Sequence, residues 1–330
     1  MKIAEKGIKL VLSILLISII MSGCSKDDTD IIENSIPQIV NLSPSNTIVG
    51  FGNSITLSVE GVDNDNDILT YSWSADGGTF SNNSKGQSVK WIAPTLSSNN
   101  SSQNYTITVI VSDGKDEAQE SISIEAIPAY NDFGNNELLN FEVNTQNAEY
   151  KISSNQLVLE SVTTNYLGVL STPTFNTRLT LPYTIESTFG VNQAFKDPNT
   201  DYYFISISPS YPSGSDSVLA AISLYINPNQ SNNWLLVAKT SKAGQSNYTI
   251  LIGGESKALK GIGSLNKISL SIDNDKNVKC EINGEVVYND DVLKRFVESL
   301  GYATTWNMAS GNVGIRGVNN LLTVDEIIVK

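Results

Sequence analysis

Lys267-Ile268-Ser269-Leu270-Ser271-Ile272-Asp273, then after four residues Val278-Lys279-Cys280-Glu281-Ile282-Asn283-Gly284, is the stretch on which the fold turns. A period of two puts Val278, Cys280 and Ile282 on one face of an extended segment. Asn283-Gly284, standing between Ile282 and Val286, is the strongest short hairpin signal, because a type I′ turn needs positive φ at both central residues. Two strands joined by a tight turn follow. Cys280 lies on the apolar face, where an unpaired thiol packs as a small hydrophobic group. The chain has only two cysteines, so no disulfide framework supports it.

Outward from this hairpin the same pattern repeats. Residues 138–330 offer strand candidates at Leu139–Val143, Gln156–Glu160, Tyr183–Phe189, Tyr202–Ile207, Val218–Ile226, Trp234–Ala238, Tyr248–Ile252 and Leu322–Val329. So many strands and so little helix predict two packed sheets. A single helix is expected from Asp291 to Leu300, with Leu293, Phe296, Val297 and Leu300 on one face, Asp290 as its cap and Gly301 after its end. Residues 37–127 show shorter alternating strands around Ile55/Leu57/Val59, Leu69/Tyr71/Trp73, Tyr105 to Val111 and Ile122/Ile124, separated by Asp, Asn, Ser and Gly clusters. That spacing predicts a small β-sandwich. Residues 128–137 break the pattern and are expected to be a short inter-domain linker, so that the two domains touch or hinge. The fold class is all-β: an N-terminal Ig-like sandwich, then a jelly-roll sandwich carrying one short helix.

Two resemblances sharpen this division. Val62-Asp63-Asn64-Asp65-Asn66-Asp67-Ile68-Leu69-Thr70-Tyr71-Ser72-Trp73 with Gly77-Gly78, and later Val109-Ile110-Val111-Ser112-Asp113-Gly114, resembles a PKD or cadherin-like immunoglobulin-fold module. Such modules act mostly as spacers or protein-contact units. The Lys267–Gly284 stretch, with Gly311–Arg316 and Thr323–Val329 as closing strands, resembles concanavalin-A-like (laminin-G-like) jelly rolls, a fold that hosts lectins, hydrolases and spacers alike.

At the N-terminus, Lys2, Lys6 and Lys9 precede an apolar run from Leu10 to Met21, too short to span a bilayer and shaped as a secretory signal. The run ends in Met21-Ser22-Gly23-Cys24, which resembles the lipobox of bacterial lipoproteins. That resemblance implies removal of residues 1–23, lipid on Cys24 and an outer-membrane location. The following Ser25-Lys26-Asp27-Asp28 resembles a surface-export signal. Residues 24–36, polar and without periodicity, are expected to be a lipidated flexible tether that reaches roughly 40 Å when extended.

Composition excludes several functions. The formal charge is −13, and residues 1–23 hold three lysines against Glu5, so the remainder stands near −15. Such an acidic body disfavours nucleic acid, and leaves the N-terminal lipid as the only expected membrane contact. The absence of histidine excludes Ser-His-Asp and Cys-His catalysis and His-ligated zinc.

Within those bounds the expected partner is an extracellular glycan, with a second surface protein as the alternative for an adhesin or scaffold. Flat rings beside polar loops suit sugar binding. The candidates are Trp234 after Asn229–Asn233, Trp306 in Tyr302–Asn307, and Tyr211 in Ser208–Gly214, each weighed against ordinary strand-end packing. Trp73 and Trp91 are expected to pack rather than bind. Asp63, Asp65 and Asp67, with Asp113 as a fourth donor, raise a possible calcium site against the alternative of an Asx-rich turn, and no cofactor is otherwise required. A glycosidase needs two carboxylates across one bond. The runs Asp273/Asp275, Asp290-Asp291 and Asp325-Glu326 fall at turns, a helix cap and the last strand, so catalytic residues are expected to be none, and an enzyme with acids from distant strands stays the further alternative.

Overall fold

Alternating apolar residues draw the chain into four sheets, packed as two sandwiches, in a computed structural model that describes residues 33–81, 83–95, 102–134, 138–139, 141–144, 149–160, 166–171, 181–194, 203–209, 218–231, 233–242, 245–300, 311–318 and 320–330. These residues hold twenty-three strands and one helix. The first eight strands are β1 (Gln38–Pro44), β2 (Ile48–Gly50), β3 (Ser54–Val62), β4 (Thr70–Ala75), β5 (Thr79–Phe80), β6 (Ser88–Ile92), β7 (Gln103–Ser112) and β8 (Glu117–Ile127). They form sheets in the orders β1-β3-β6-β5 and β2-β8-β7-β4, antiparallel except that β2 runs parallel to β8. This is an Ig-like arrangement. Leu57, Trp91, Ile107, Val109 and Val111 are buried between the sheets. Trp73 and Trp91 pack there as expected, and their indole N–H groups donate to the carbonyls of Gly86 (2.9 Å) and Gly77 (3.0 Å), which removes the cost of burying them. At Gly78, φ is +75° and an added Cβ would stand 2.4 Å from the Ile92 carbonyl oxygen, so this turn needs glycine.

The segment after β8, expected as a short linker, contains a strand. Ala129–Asn131 forms a further strand, β9, whose small and aromatic residues are buried rather than exposed. The remaining strands are β10 (Phe141–Asn144), β11 (Glu149–Ser153), β12 (Gln156–Glu160), β13 (Tyr166–Ser171), β14 (Tyr183–Ala194), β15 (Tyr203–Pro209), β16 (Val218–Ile226), β17 (Trp234–Lys242), β18 (Gln245–Gly254), β19 (Asn266–Ile272), β20 (Val278–Ile282), β21 (Glu285–Asp290), β22 (Gly311–Val318) and β23 (Asn320–Val329). They make a seven-stranded sheet, β10-β13-β22-β15-β16-β17-β18, and an eight-stranded sheet, β11-β12-β23-β14-β19-β20-β21, stacked as a jelly roll. β9 joins the second sheet by pairing with the far half of β23, Asn131 opposite Ile327 and Ala129 opposite Val329, beyond the end of β12. Ile127, Tyr130 and Ile328 form a small apolar cluster there, with Ile48 against it. Residues 36–330 accordingly form one unit, although each sandwich keeps its own core.

The deciding hairpin is realised as expected. Ile282 pairs with Glu285 across Asn283 (φ 49°) and Gly284 (φ 85°). Ile268, Leu270, Ile272, Val278, Cys280 and Ile282 all enter the core, and burial pushes the Cys280 thiol far above its usual range, so it is inert. The helix, α1 (Val292–Ser299), differs at both ends from the expectation. Its N-cap is Asp291, not Asp290, and that side chain makes no capping bond because its carboxylate pairs with Arg295 at 2.6 Å. Leu300 falls outside the helix and is exposed, which leaves Leu293, Phe296 and Val297 as the packed face. Among the described residues no helix is long and apolar enough to cross a membrane.

One buried polar knot secures the eight-stranded sheet to the loop before it. Asn266, fully buried, donates to the Tyr203 hydroxyl (3.2 Å) and the Lys260 carbonyl (3.2 Å). Its Oδ1 accepts from Lys260 N–H (2.8 Å) and Asn283 Nδ2 (2.7 Å). Removing it would strand several partners in a dry site, a loss of about 1–3 kcal/mol for each unsatisfied group. Asn266→Ala should therefore lower the urea midpoint markedly, and a midpoint equal to wild type would show that the knot carries no stability.

Candidate functional site

The seven-stranded sheet has one face committed to the core, through Tyr203, Ile205, Ile222, Leu224, Trp234, Leu236 and Ile315. The strand period of two then turns their neighbours outward. Register pairs Arg316 with Phe204, Phe204 with Tyr225, and Tyr225 with Leu235 in one row across the sheet. A second row runs Gly314, Ser206, Ser223, Val237 and Ile250. Lys239 and Tyr248 pair beyond them on the edge. Phe204 and Tyr225 stack with centroids 4.3 Å apart at 16°, and the Lys239 ammonium stands 5.5 Å from the Tyr248 ring centre. The middle of this face is buried (Phe204, 3% exposed), whereas its β18 side opens to solvent through Tyr248 (55%) and Ile250 (63%). Of the residues on this face whose side chains are described, none is Asp or Glu, although the chain is strongly acidic. The open β18 side of the face offers aromatic and aliphatic surface with the Lys239 ammonium as a donor, whereas Phe204, Ser206 and Ser223 in the middle are buried. Among the described side chains of the face there is no carboxylate pair with which to cleave a glycosidic bond.

Trp234 is corrected by this geometry. It points to the core side of β17, is 5% exposed, and packs so tightly on Gly254 that a Cβ there would meet its ring at 3.2 Å. A ring with no free face cannot be a sugar platform. Parity misplaced it: the polar run before Trp234 suggested exposure, but the residue begins an inward row with Leu236 and Ala238. Tyr211 and Trp306 lie outside the described residues. Tyr248 was not among the sequence candidates because it stands within a strand pattern, and only its place on the outermost strand exposes it.

The aspartates of the first sandwich do not gather as a calcium site. Asp63 Oδ1 accepts the backbone N–H groups of Asp65 (2.8 Å) and Asp67 (3.2 Å), which is an Asx-type turn. Asp113 Oδ1 likewise accepts from Lys115 and Asp116 N–H, both at 2.7 Å. Between the two turns the Lys115 ammonium contacts Asp67 at 3.0 Å, and its pKa is raised first by that hydrogen bond and then by the charges of Asp67, Asp113 and Asp65. The cation nearest these carboxylates is thus a side chain of the protein itself. Among the described residues no three metal-ligating side chains converge.

The three acidic runs also have local structural partners. Burial pushes the Asp273 carboxyl up, but bonds from Asn277 and from the turn backbone outweigh it and hold the group below its usual range. Asp325 accepts from Gln156 at 3.0 Å. Glu326 is raised by burial, with the neighbouring charges of Glu186 and Asp325 adding to it and Lys267 opposing it.

No family model matches the chain, and no curated protein matches it. Solved structures do resemble it. One is the Emp46p carbohydrate recognition domain in a potassium-bound form, at 9% identity over 58% of this chain and 88% of that one, with a TM-score of 0.35. Another comes from work on endo-acting O-glycanases with which prominent members of the human gut microbiota initiate mucin breakdown, at 11% identity, 61% and 97% coverage and a TM-score of 0.41. A third is β-agarase A from Zobellia galactanivorans, at 8% identity, 57% and 81% coverage and a TM-score of 0.41. At these values the likenesses bear on neither ligand nor activity, and the fold rests on the chain's own sheet order.

If Lys115 occupies the cation position, then 5 mM calcium and excess EDTA should leave the melting temperature within 1 °C of each other. A calcium-dependent rise of several degrees that Asp67→Asn removes would contradict this.

Proposed function

We propose that this chain is a lipid-anchored protein of a bacterial outer surface that binds extracellular carbohydrate, without turnover, on the outer face of its seven-stranded sheet. The observation that carries the reading is the open β18 edge of the outer face: Tyr248 and Ile250 exposed side by side, the Lys239 ammonium 5.5 Å from the Tyr248 ring centre and, among the described side chains of the face, no carboxylate. Pyranose rings present C–H faces that pack on aromatic surface and equatorial hydroxyls that accept from cationic donors. Hydrolysis needs acids placed about 5 Å apart or somewhat more, and among the described acidic runs Asp273 is held in a turn, Asp291 pairs with Arg295 and Asp325 accepts from Gln156. The Ig-like sandwich serves as a spacer, supported by its small size and by β9, which ties it into the jelly roll. The anchor is supported by the lipobox-like Met21–Cys24 and the short apolar run before it.

The test is a glycan array probed with the full chain, with and without calcium, followed by titration of the best ligand. Tyr248→Ala should weaken that binding tenfold or more, with no release of reducing ends over hours. A blank array from folded protein, or turnover abolished by a single Asp or Glu substitution, would contradict the reading. For the anchor, Cys24→Ala should yield soluble, unlipidated chain, and membrane retention of that variant would contradict it.

A further inference from the structure

A cavity of about 310 Å³ opens where β9 and the residues after it meet the β1–β2 turn and the start of β3. Its walls are held from both sides. β2 is paired to β8 and β9 to β23, so the cavity exists before any ligand arrives. On its floor Asn46 donates to the Tyr130 hydroxyl at 2.6 Å, and its own Oδ1 is held by Ile48 N–H at 3.0 Å, which fixes the amide's orientation. Burial, with the charges of Asp132 and Glu326 added, keeps the Tyr130 hydroxyl protonated far above its usual range. Asp132 Oδ1 accepts Gly134 N–H at 3.0 Å. Its Oδ2 meets Asn46 and Tyr130 only at 3.4 Å, the weak limit of hydrogen bonding, so this oxygen has accepting capacity to spare.

We propose that this junction cavity is a second binding site, which takes a single neutral sugar ring or a polyol of similar size. Among the described lining residues Asp132 is the one ionisable acid or base besides the Tyr130 phenol and none is Lys or Arg, so anions are disfavoured. A metal ion would need several further oxygen ligands, and no three carboxylates converge among the described residues. A polyol matches the rest: Asp132 Oδ2 accepts a hydroxyl, Ser54 and Asn155 offer both donors and acceptors, and Ile48 and Leu139, partly buried, receive C–H surface. The volume stands at the lower end of ligand pockets, roughly 300–1,000 Å³, which admits one ring rather than a chain threaded through. The site stands apart from the sheet face and does not depend on what that face binds.

The experiment is titration calorimetry of the full chain with glucose, galactose, mannose, N-acetylglucosamine and N-acetylgalactosamine, each alone, with saturation-transfer NMR to detect weak binding. At least one should saturate at one site per chain. Ser54→Tyr, which fills the cavity from its wall, should weaken that binding tenfold or more, and Asp132→Asn about fivefold, each in protein whose melting curve remains cooperative. Tyr248→Ala should change it less than twofold, whereas polysaccharide binding at the sheet face should respond in the opposite way. The proposal is overturned if no sugar saturates, if neither cavity variant affects one that does, if binding is lost in Tyr248→Ala instead, or if calcium or potassium binds there in place of sugar.

Discussion

Pairing along β23 is the constraint on which the molecule depends. One edge of this ten-residue strand is paired to β14 along its length. Its other edge is divided between β12, opposite Leu321–Val324, and β9, opposite Ile327–Val329. A strand of this length spans about 33 Å, enough to serve two partners end to end. The jelly roll therefore closes around a strand whose last three paired residues also hold the connection to the first sandwich. Asn131 and Ile327 are far apart in sequence, so the junction forms only when the C-terminal strand is in place, and such non-local pairing makes for slow folding. The entropy of closing so long a loop grows only slowly with its length, which leaves the finished junction stable.

This arrangement separates two kinds of surface. The eight-stranded sheet carries ion pairs on its outward side, among them Lys267 with Glu186 at 2.7 Å and Lys279 with Glu281 at 2.9 Å, as expected of a solvated face. The β18 side of the seven-stranded sheet presents Tyr248, Ile250 and Lys239 instead. Solubility accounts for the first pattern and not the second, since exposed apolar residues next to one another on an edge strand are a liability unless something binds there. The Lys239 ammonium over Tyr248 places a charge beside that edge, and the ring is still 55% exposed.

Much of the architecture was legible because strand periodicity and one turn carry it. Val278, Cys280 and Ile282 announced the buried face, and Asn283-Gly284 the turn, since both residues take positive φ readily. Segment 129–131 was not legible: three residues contain too little pattern, and only a partner nearly two hundred positions away makes them a strand. The Asn266 knot was hidden for a different reason. A buried Asn has the same letter as an exposed one, and its partners Tyr203, Lys260 and Asn283 are assembled by the fold. The site was read least well. Trp234 stood out by residue type, yet exposure is set by parity and by sheet order, which place Trp234 inward on an inner strand and Tyr248 outward on the edge. The carboxylates of Asp63–Asp67 were read for their charge, and the neutralising Lys115 lies on a separate turn, forty-eight residues after Asp67.

A crystal structure of the chain soaked with its best array ligand tests the central claim most directly. The account predicts a sugar ring against Tyr248 on the outer face of the seven-stranded sheet, its hydroxyls within hydrogen-bonding reach of Lys239 and its glycosidic bonds intact. A ligand bound on the eight-stranded sheet with the Tyr248 face empty, or a cleaved ligand held between two carboxylates, would contradict it.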